Sequence, residues 1–400
     1  MRLVKTFFTL LPSYHSDSHF SQTFPITIMK VSVVSHFLLF AVVFLTGSTS
    51  LIAQTATPTP PPDDDGDVIK VESRLVVVPV SVTDAAGEPV LGLKAADFKV
   101  SEENRPQVVE SVADAEKVPL EIALLFDVSA STDAMFRFQQ ETAAKFLREV
   151  LRPEDRAVIF TIGQKPILIQ ARDTSEKSIA STMSILPTKG ATAFFDSVRN
   201  AADFLKINSP QGRRRVILVI SDGEDNFSEG VQRAQRNFER NIVDNKPDPE
   251  FKRLNSLVLQ AQQAAKISER TKVLKALQDA DIVHYSINPG GSSYLLNRMS
   301  TFGQENMQIF SDATGGTAFL PKFQPIDTKD QLQNSSNIKR NTVVLEQIFR
   351  QLANEIRAQY LVQYYSETDF PQNKYVKLNV GLQNPASLKI KARQGYYVKN

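Results

Sequence analysis

Five short runs of β-branched and other apolar residues, separated by stretches of helical periodicity, occupy the middle of this chain and limit its architecture more than any other feature. EIALLFDV begins at Glu121, and RAVIFTI, RRRVILVIS, DIVHYSI and TAFL follow from Arg156, Arg213, Asp281 and Thr317. A strand that is apolar at consecutive positions needs cover on both faces, and helices between strands supply it. The candidate helices are TDAMFRFQQETAAKFLREV, EKSIASTMSIL, AFFDSVRNAADFLK and TKVLKALQDA. In the first, Ala134, Phe138, Thr142, Phe146 and Val150 advance by four and are expected to form the packing stripe. PILIQA reads as an antiparallel edge strand. The expected fold class is α/β, with a doubly wound, mostly parallel sheet of the Rossmann-like kind.

The two ends of the chain follow another rhythm. VIKVESRLVVVPVSVTD, FKVSEEN and PQVVESVAD alternate polar and apolar residues over 68–115, and YLVQYYSE, NKYVKLNVGL, ASLKIKAR and GYYV do so near the C-terminus, in a segment taken as a helix and strands over 343–400. Neither set alone buries enough apolar area to fold securely. The N- and C-terminal strands are therefore expected to pair into one flanking β-sandwich.

Residues 31–46, VSVVSHFLLFAVVFLT, run into the small residues GSTSLIAQ and read as the apolar core of an export signal over 1–53, cut at Ala53-Gln54, with Met29 as an alternative start. The run is short for a bilayer span, so a retained anchor is the lesser reading and no stable membrane span is expected after signal removal. Residues 54–67 form a linker rich in Pro and Asp, whose Asp63-Asp64-Asp65 run reads as solvated. The expected location is exported, either periplasmic or secreted.

Absences narrow the chemistry. The chain has no cysteine, which removes thiol catalysis, iron-sulfur ligation and disulfides. Of its histidines, His15, His19 and His36 fall in the signal and leave His284, placed inside a strand and read as a packed residue. Basic and acidic side chains number 46 and 44, so no whole-chain bias toward nucleic acid or anionic membrane exists. What remains is oxygen chemistry.

In doubly wound sheets the ligand crevice lies beyond the carboxyl ends of the strands. Asp127-Val128-Ser129-Ala130-Ser131 follows the first strand, Ser221-Asp222-Gly223 ends RRRVILVIS, and Gly190-Ala191-Thr192 lies on a loop between them. Each piece alone also suits an ordinary turn or helix cap. Together they offer hard oxygens to Mg2+, which wants six at roughly 2.0–2.1 Å and commonly keeps some waters. Neutral hydroxyl ligands, with carboxylates acting through water, would leave the cation Lewis-acidic and able to accept an incoming carboxylate. Glu224 and Asp225, beside Asp222, read as solvated.

The DVSAS, GAT and ISDG segments, in this order and each after the expected element, resemble the von Willebrand factor type A (VWFA) domain and its metal-ion-dependent adhesion site, over about residues 118–325. The resemblance implies a divalent cation, Mg2+ or Mn2+, at Asp127, Ser129, Ser131, Thr192 and Asp222. The flanks LVVVPVSVTDAAGEPVLGLKAADFKVSEEN and KIKARQGYYV are similar to a group of exported bacterial proteins that carry such a domain. A non-enzymatic binding or adhesion module follows, whose protein partner presents an Asp or Glu carboxylate. The alternatives are a metal-assisted hydrolase using the same ion and a scaffold with a structural metal; against the hydrolase, no positioned histidine or lysine base and no cysteine nucleophile accompanies the oxygen cluster.

Nearly sixty residues separate ISDGEDN from DIVHYSI, so a helical hairpin is expected as an insertion at about 229–272, beside the metal face. Its stripes are Val231, Ala234, Phe238 and Ile242, then Leu254, Leu257, Val258, Ala261 and Ala265. It is read either as a partner clamp or as a solvated excursion. GGSS and TGGT lack phosphate-loop spacing and read as turns. Tyr360, Tyr364, Tyr365, Tyr396 and Tyr397 are expected to fill the sandwich.

Overall fold

The computed structural model describes residues 74–129, 133–188, 190–244, 251–288, 298–326, 328–385 and 387–399. The expected signal and linker, GGSS and Ser131 lie outside these. The chain opens with β1 (Arg74–Thr83), β2 (Phe98–Glu102), β3 (Arg105–Gln107) and β4 (Val109–Asp114). The central part runs β5 (Leu120–Asp127), α1 (Asp133–Val150), β6 (Arg156–Ile162), β7 (Ile167–Asp173), α2 (Ser175–Met183), α3 (Phe194–Asn208) and β8 (Arg214–Ile220). It continues through α4 (Glu229–Asp244), α5 (Phe251–Asp279), β9 (Ile282–Ile287), α6 (Arg298–Thr314), β10 (Ala318–Phe319) and α7 (Gln331–Arg357). The chain closes with β11 (Gln359–Ser366), β12 (Tyr375–Leu382), β13 (Lys389–Ala392) and β14 (Gly395–Tyr397).

The central sheet has the order β10-β9-β8-β5-β6-β7, parallel except for the antiparallel edge strand β7. Strand alternation sorts its side chains into two cores. Ile122, Leu124 and Phe126 of β5 point with Val216, Leu218 and Ile220 of β8 to one face, under Phe146 and Leu147 of α1 and Phe349 and Leu352 of α7. Ala123 and Leu125 point with Ile217 and Val219 to the other, under Phe194 and Val198 of α3, Val273 and Leu277 of α5 and Phe310 of α6. Helices therefore cover both faces, and the mostly parallel, doubly wound α/β sheet read from the apolar runs is present.

The expected stripe on α1 is partly replaced. Thr142, Phe146 and Val150 are buried, joined by Phe136, Ala143 and Leu147, because a strict step of four drifts off one face of a 3.6-residue helix. The side chains of Ala134 and Phe138 lie outside the described residues.

The sandwich consists of two four-stranded sheets, β13-β1-β11-β4 and β14-β12-β2-β3. β1 pairs with β11 in register Val78↔Val362, and β2 with β12 in register Val100↔Val380. Each sheet thus needs strands from both ends of the chain, as the alternating flanks predict. Val76, Val78, Val80 and Val82 point inward with Tyr360, Tyr364 and Tyr396, whereas Tyr365 is exposed and Tyr397 lies half-buried under the Lys275 ammonium. The expectation for those last two tyrosines is corrected, since alternation turns Tyr365 away from its buried neighbour Tyr364. Glu102 of β2 is fully buried between the sheets and accepts hydrogen bonds from the Tyr364 hydroxyl (2.6 Å) and Ser366 Oγ (2.7 Å) of the facing sheet and from the Tyr396 hydroxyl (2.6 Å). Three donors offset the cost of removing a carboxylate from water.

Two elements differ from their sequence outlines. The helix expected from 343 starts at Gln331, where the Asp330 carboxylate accepts from the Leu332 and Gln333 amides (2.9 and 3.1 Å), and it packs on the central sheet rather than in the sandwich. In the inserted region, α5 runs unbroken from Phe251 into the segment that packs on the sheet. α4 lies antiparallel on it, with Gln235 against Gln262 (3.1 Å) and Gly230 against Glu269. Val231 is buried, whereas Leu257 of the second expected stripe is exposed.

Candidate metal centre

The centre grows out of the carboxyl ends of β5 and β8. Asp127 is the last residue of β5, and the chain turns at once: the Ser129 amide donates back to Asp127 Oδ1 (2.9 Å), an Asx turn, and Ser129 Oγ donates to the same oxygen (2.7 Å). Ser221, fully buried at the end of β8, donates Oγ–H to Asp127 Oδ2 (2.6 Å) and accepts from the Gly223 amide (3.1 Å). Both carboxylate oxygens of Asp127 are therefore held from two loops. Ser221, named in the sequence beside Asp222 but left out of the expected ligand set, is a positioning residue.

Thr192 arrives from the third loop. Its Oγ1 donates to Ser129 Oγ (3.0 Å), so two hydroxyls of the expected donor set meet at one point. The loop is stitched to the β8 side, since the Thr192 amide donates to Asn226 Oδ1 (2.8 Å) and the Asn226 and Phe227 amides return to the Thr192 carbonyl (3.0 and 3.1 Å). Asp222 sits on the rim, its Oδ1 accepting from the Glu224 amide (3.0 Å). Gly223 has φ +75°, and a Cβ there would stand 2.4 Å from the Gly303 carbonyl oxygen of α6, so only glycine lets α6 approach the loop.

The electrostatics suit a cation. Burial pushes the Asp127 carboxyl above its ordinary value against the three hydrogen bonds that lower it. Asp222 is exposed as a residue, yet crowding around its carboxyl, reinforced by the charges of Asp127 and Glu224, pushes it up to about 6. Among the described residues no three His, Cys, Asp or Glu side chains gather to hold a metal, so the donor set here is hydroxyl-rich. Hard hydroxyl and carboxylate oxygens, with negative charge that raises its own proton affinity, fit a hard divalent cation. Asp127, Ser129 and Thr192 are directly linked, Asp222 is coupled to Asp127 by charge, and Ser131 lies outside the described residues.

The reading of Asp225 as solvated is corrected. It is buried, and its carboxylate accepts from the Phe195 amide at the start of α3 (2.9 Å) and from the Ser228 amide and hydroxyl. A helix N-terminus left with orphan amides inside the protein draws in a carboxylate from another loop. Glu224 is half-buried and accepts from Ser300 Oγ (2.6 Å). Lys266 of α5 is near enough to Asp225 and Glu224 to feel their charges, although burial lowers its pKa on balance. The inserted helix thus reaches the loop that carries Asp222. His284 is fully buried in β9 with Nδ1 3.1 Å from Ser311 Oγ, and burial pushes its pKa down to about 3.

Residues 122–224 match the family model of the von Willebrand factor type A domain. That span holds all three loops, and the chain carries a VWFA domain. No match was found among curated protein sequences. Among solved structures, the chain is similar to proximal thread matrix protein 1 from the mussel byssus (10% identity, TM-score 0.38, covering 64% of this chain and 50% of that one). One structure of that protein has a zinc-occupied MIDAS motif. It is also similar to the PilB minor pilin from Streptococcus sanguinis (15%, TM-score 0.36, 59% and 62%) and to BatB from Bacteroides thetaiotaomicron (14%, TM-score 0.30, 57% and 99%). The match thus spans about half the mussel protein's length. The domain assignment rests on the family model and on the sheet order.

Proposed function

We propose that this chain is an exported, non-enzymatic binding module that captures a protein partner through a divalent cation. Ser129, Ser131 and Thr192 would supply neutral hydroxyl ligands, and Asp127 and Asp222 would hold its waters. Bound there, Mg2+ or Mn2+ supplies Lewis acidity toward an Asp or Glu carboxylate of the partner. The observation that carries this reading is the convergence of Thr192, Ser129 and Asp127 from two separate loops within hydrogen-bond distance. Structural turns need no such meeting.

Support for export comes from the apolar run and small-residue junction at 31–54. No helix among the described residues is long and apolar enough to cross a membrane. A hydrolase built on the same ion would need a base at the rim. His284 is buried in β9, and Lys266 lies within the influence of the Asp225 and Glu224 charges.

The test is calorimetric titration of MgCl2 into the purified chain, followed by partner capture from the native envelope with and without chelator. Heat of binding that vanishes in Thr192→Ala, together with chelator-sensitive capture, supports the module. Capture indifferent to chelator and to Asp127→Ala overturns it, and turnover of small esters or phosphates assigns the hydrolase instead.

A further inference from the structure

A cavity of about 440 Å3 lies between the sandwich and the amino-terminal ends of the parallel strands, at the opposite end of β5 and β8 from Asp127 and Ser221. Arg74, Arg213, Arg214, Arg215, Arg393 and Lys399 line it. Asp281 is the single carboxylate among the described lining residues, and it is already shared by Arg393 (2.9 Å) and Lys399. Arg213 pairs with the buried Glu121, which Arg172 also occupies (2.8 Å). Arg74, Arg214 and Arg215 have no carboxylate within ion-pair distance among the described residues.

Backbone carbonyls take part of their hydrogen bonding. Arg214 donates to the Ile356 carbonyl (2.6 Å) and Arg215 to that of Ala280 (3.0 Å). Among the described residues, Arg74 Nη1, Arg215 Nε and Arg393 Nε are buried atoms without a hydrogen-bond partner. Burial also pushes the Arg214 guanidinium below its ordinary pKa. Arg74, Arg214 and Arg215 are half-buried, and of the described carboxylates only the more distant Asp155 and Asp114 reach Arg214 with their charge. Cations held partly out of water without a close counter-charge are costly, and a purely structural clasp would be expected to bring its own. Forked guanidinium groups match the oxygens of phosphate and carboxylate in pairs.

We propose that this cleft is a second, metal-independent site that binds a small organic anion carrying phosphate or clustered carboxylate groups. The volume lies within the range of small-molecule pockets, and Val283, Leu361 and the Tyr396 ring offer an apolar wall for the body of such a ligand. The chain contains a competing anion, Asp63-Asp64-Asp65 with Asp67, seven to eleven residues ahead of Arg74 and within a reach of about 24–38 Å. A run of aspartates has no apolar body to set against that wall, so the small ligand is favoured.

The experiment is calorimetric titration of the full chain, stripped of metal by chelator and then dialysed free of it, with inorganic pyrophosphate and, separately, citrate, at low salt. At least one probe binds, and Arg74→Gln and Lys399→Gln each weaken it about tenfold, as does raising the salt to about 0.5 M. Thr192→Ala leaves it unchanged. Arg214 also holds the Val118 and Ile356 carbonyls, so Arg74 and Lys399 are the residues to change, with unfolding midpoints recorded alongside. Pyrophosphate alone assigns the phosphate class, and citrate alone the carboxylates. No heat from either probe overturns the proposal, as does affinity equal in wild type and both variants. So does binding that emerges only after Asp63, Asp64, Asp65 and Asp67 are changed to Asn, because the cleft then belongs to the chain's own acidic segment.

Discussion

The two ends of β8 carry opposite chemistry on one apolar rod. Its carboxyl end passes into Ser221 and Asp222, where hydroxyls and carboxylates gather and carboxyl pKa values are raised. Its amino end begins with Arg213, Arg214 and Arg215, where guanidinium groups gather with few counter-charges. The rod between them, Val216 to Ile220, is buried on both faces. The contrast teaches a division of labour: the apolar middle sets the sheet, and each end is free to be polar because loops and helix termini surround it. An excess of negative charge at one end suits the proposed cation, and an excess of positive charge at the other suits the proposed anion.

The most damaging change is to the rod. Leu218 is fully buried in the core beneath α1 and α7, and Leu218→Ala is expected to cost about 2–5 kcal/mol, read from urea unfolding, with both ends weakened together. If one end kept full affinity in a destabilised variant, the shared-rod picture would fail. Ser366→Ala in the sandwich removes one of three donors to buried Glu102 and is expected to cost about 1–3 kcal/mol by the same measurement, leaving Mg2+ affinity unchanged.

Thr192→Ala separates the ends. Mg2+ affinity should fall about tenfold or more in calorimetry, with the unfolding midpoint shifted little, because the Thr192 backbone still anchors its loop when the Oγ1 bond to Ser129 is lost.

The gentlest probe is pH. With the Asp222 carboxyl pushed up to about 6, above the ordinary aspartate value, protons compete with the cation, so Mg2+ affinity rises as pH climbs through that value. For the cation-free protein the sign is the reverse of the common carboxylate case. The fold favours the protonated form, so this group's contribution to stability is complete below the ordinary aspartate value and fades as pH rises through about 6. Thermal unfolding between about pH 5 and about pH 7 should show that loss without Mg2+ and its relief with Mg2+. A pH trend identical with and without the ion would separate Asp222 from the cation.

Much of this was legible in the chain. Consecutive apolar residues announced β5 and β8 because two-sided burial leaves no other pattern, and Asp127, Ser129 and Asp222 could be picked out because they follow strand ends, whereas Thr192, on the loop before α3, was assigned through the resemblance to the VWFA domain. Ser221 was named with the oxygen-bearing segments but given no role, because a serine at a strand end is ordinary, and only its approach to Asp127 gives it a task. Asp225 looked solvated among acidic neighbours, and its burial follows from the start of α3 lying behind it. Glu102 read as one more polar position in FKVSEEN, since its partners Tyr364, Ser366 and Tyr396 stand more than 260 residues away.

Local order therefore belonged to the sequence: which segments are strands, which stretches are helical, and which side chains follow the strand ends, all set by hydrophobic period. The tertiary structure decided what long-range contact alone can decide. It made both chain ends into one sandwich, carried α7 onto the central sheet, closed Thr192 upon Ser129, and set Arg74, Arg214 and Arg215, which have no ion-pair partner among the described residues, around one cleft. Charges and hydroxyls have no period to betray their partners, and their energies depend on distances that exist only once the chain has closed.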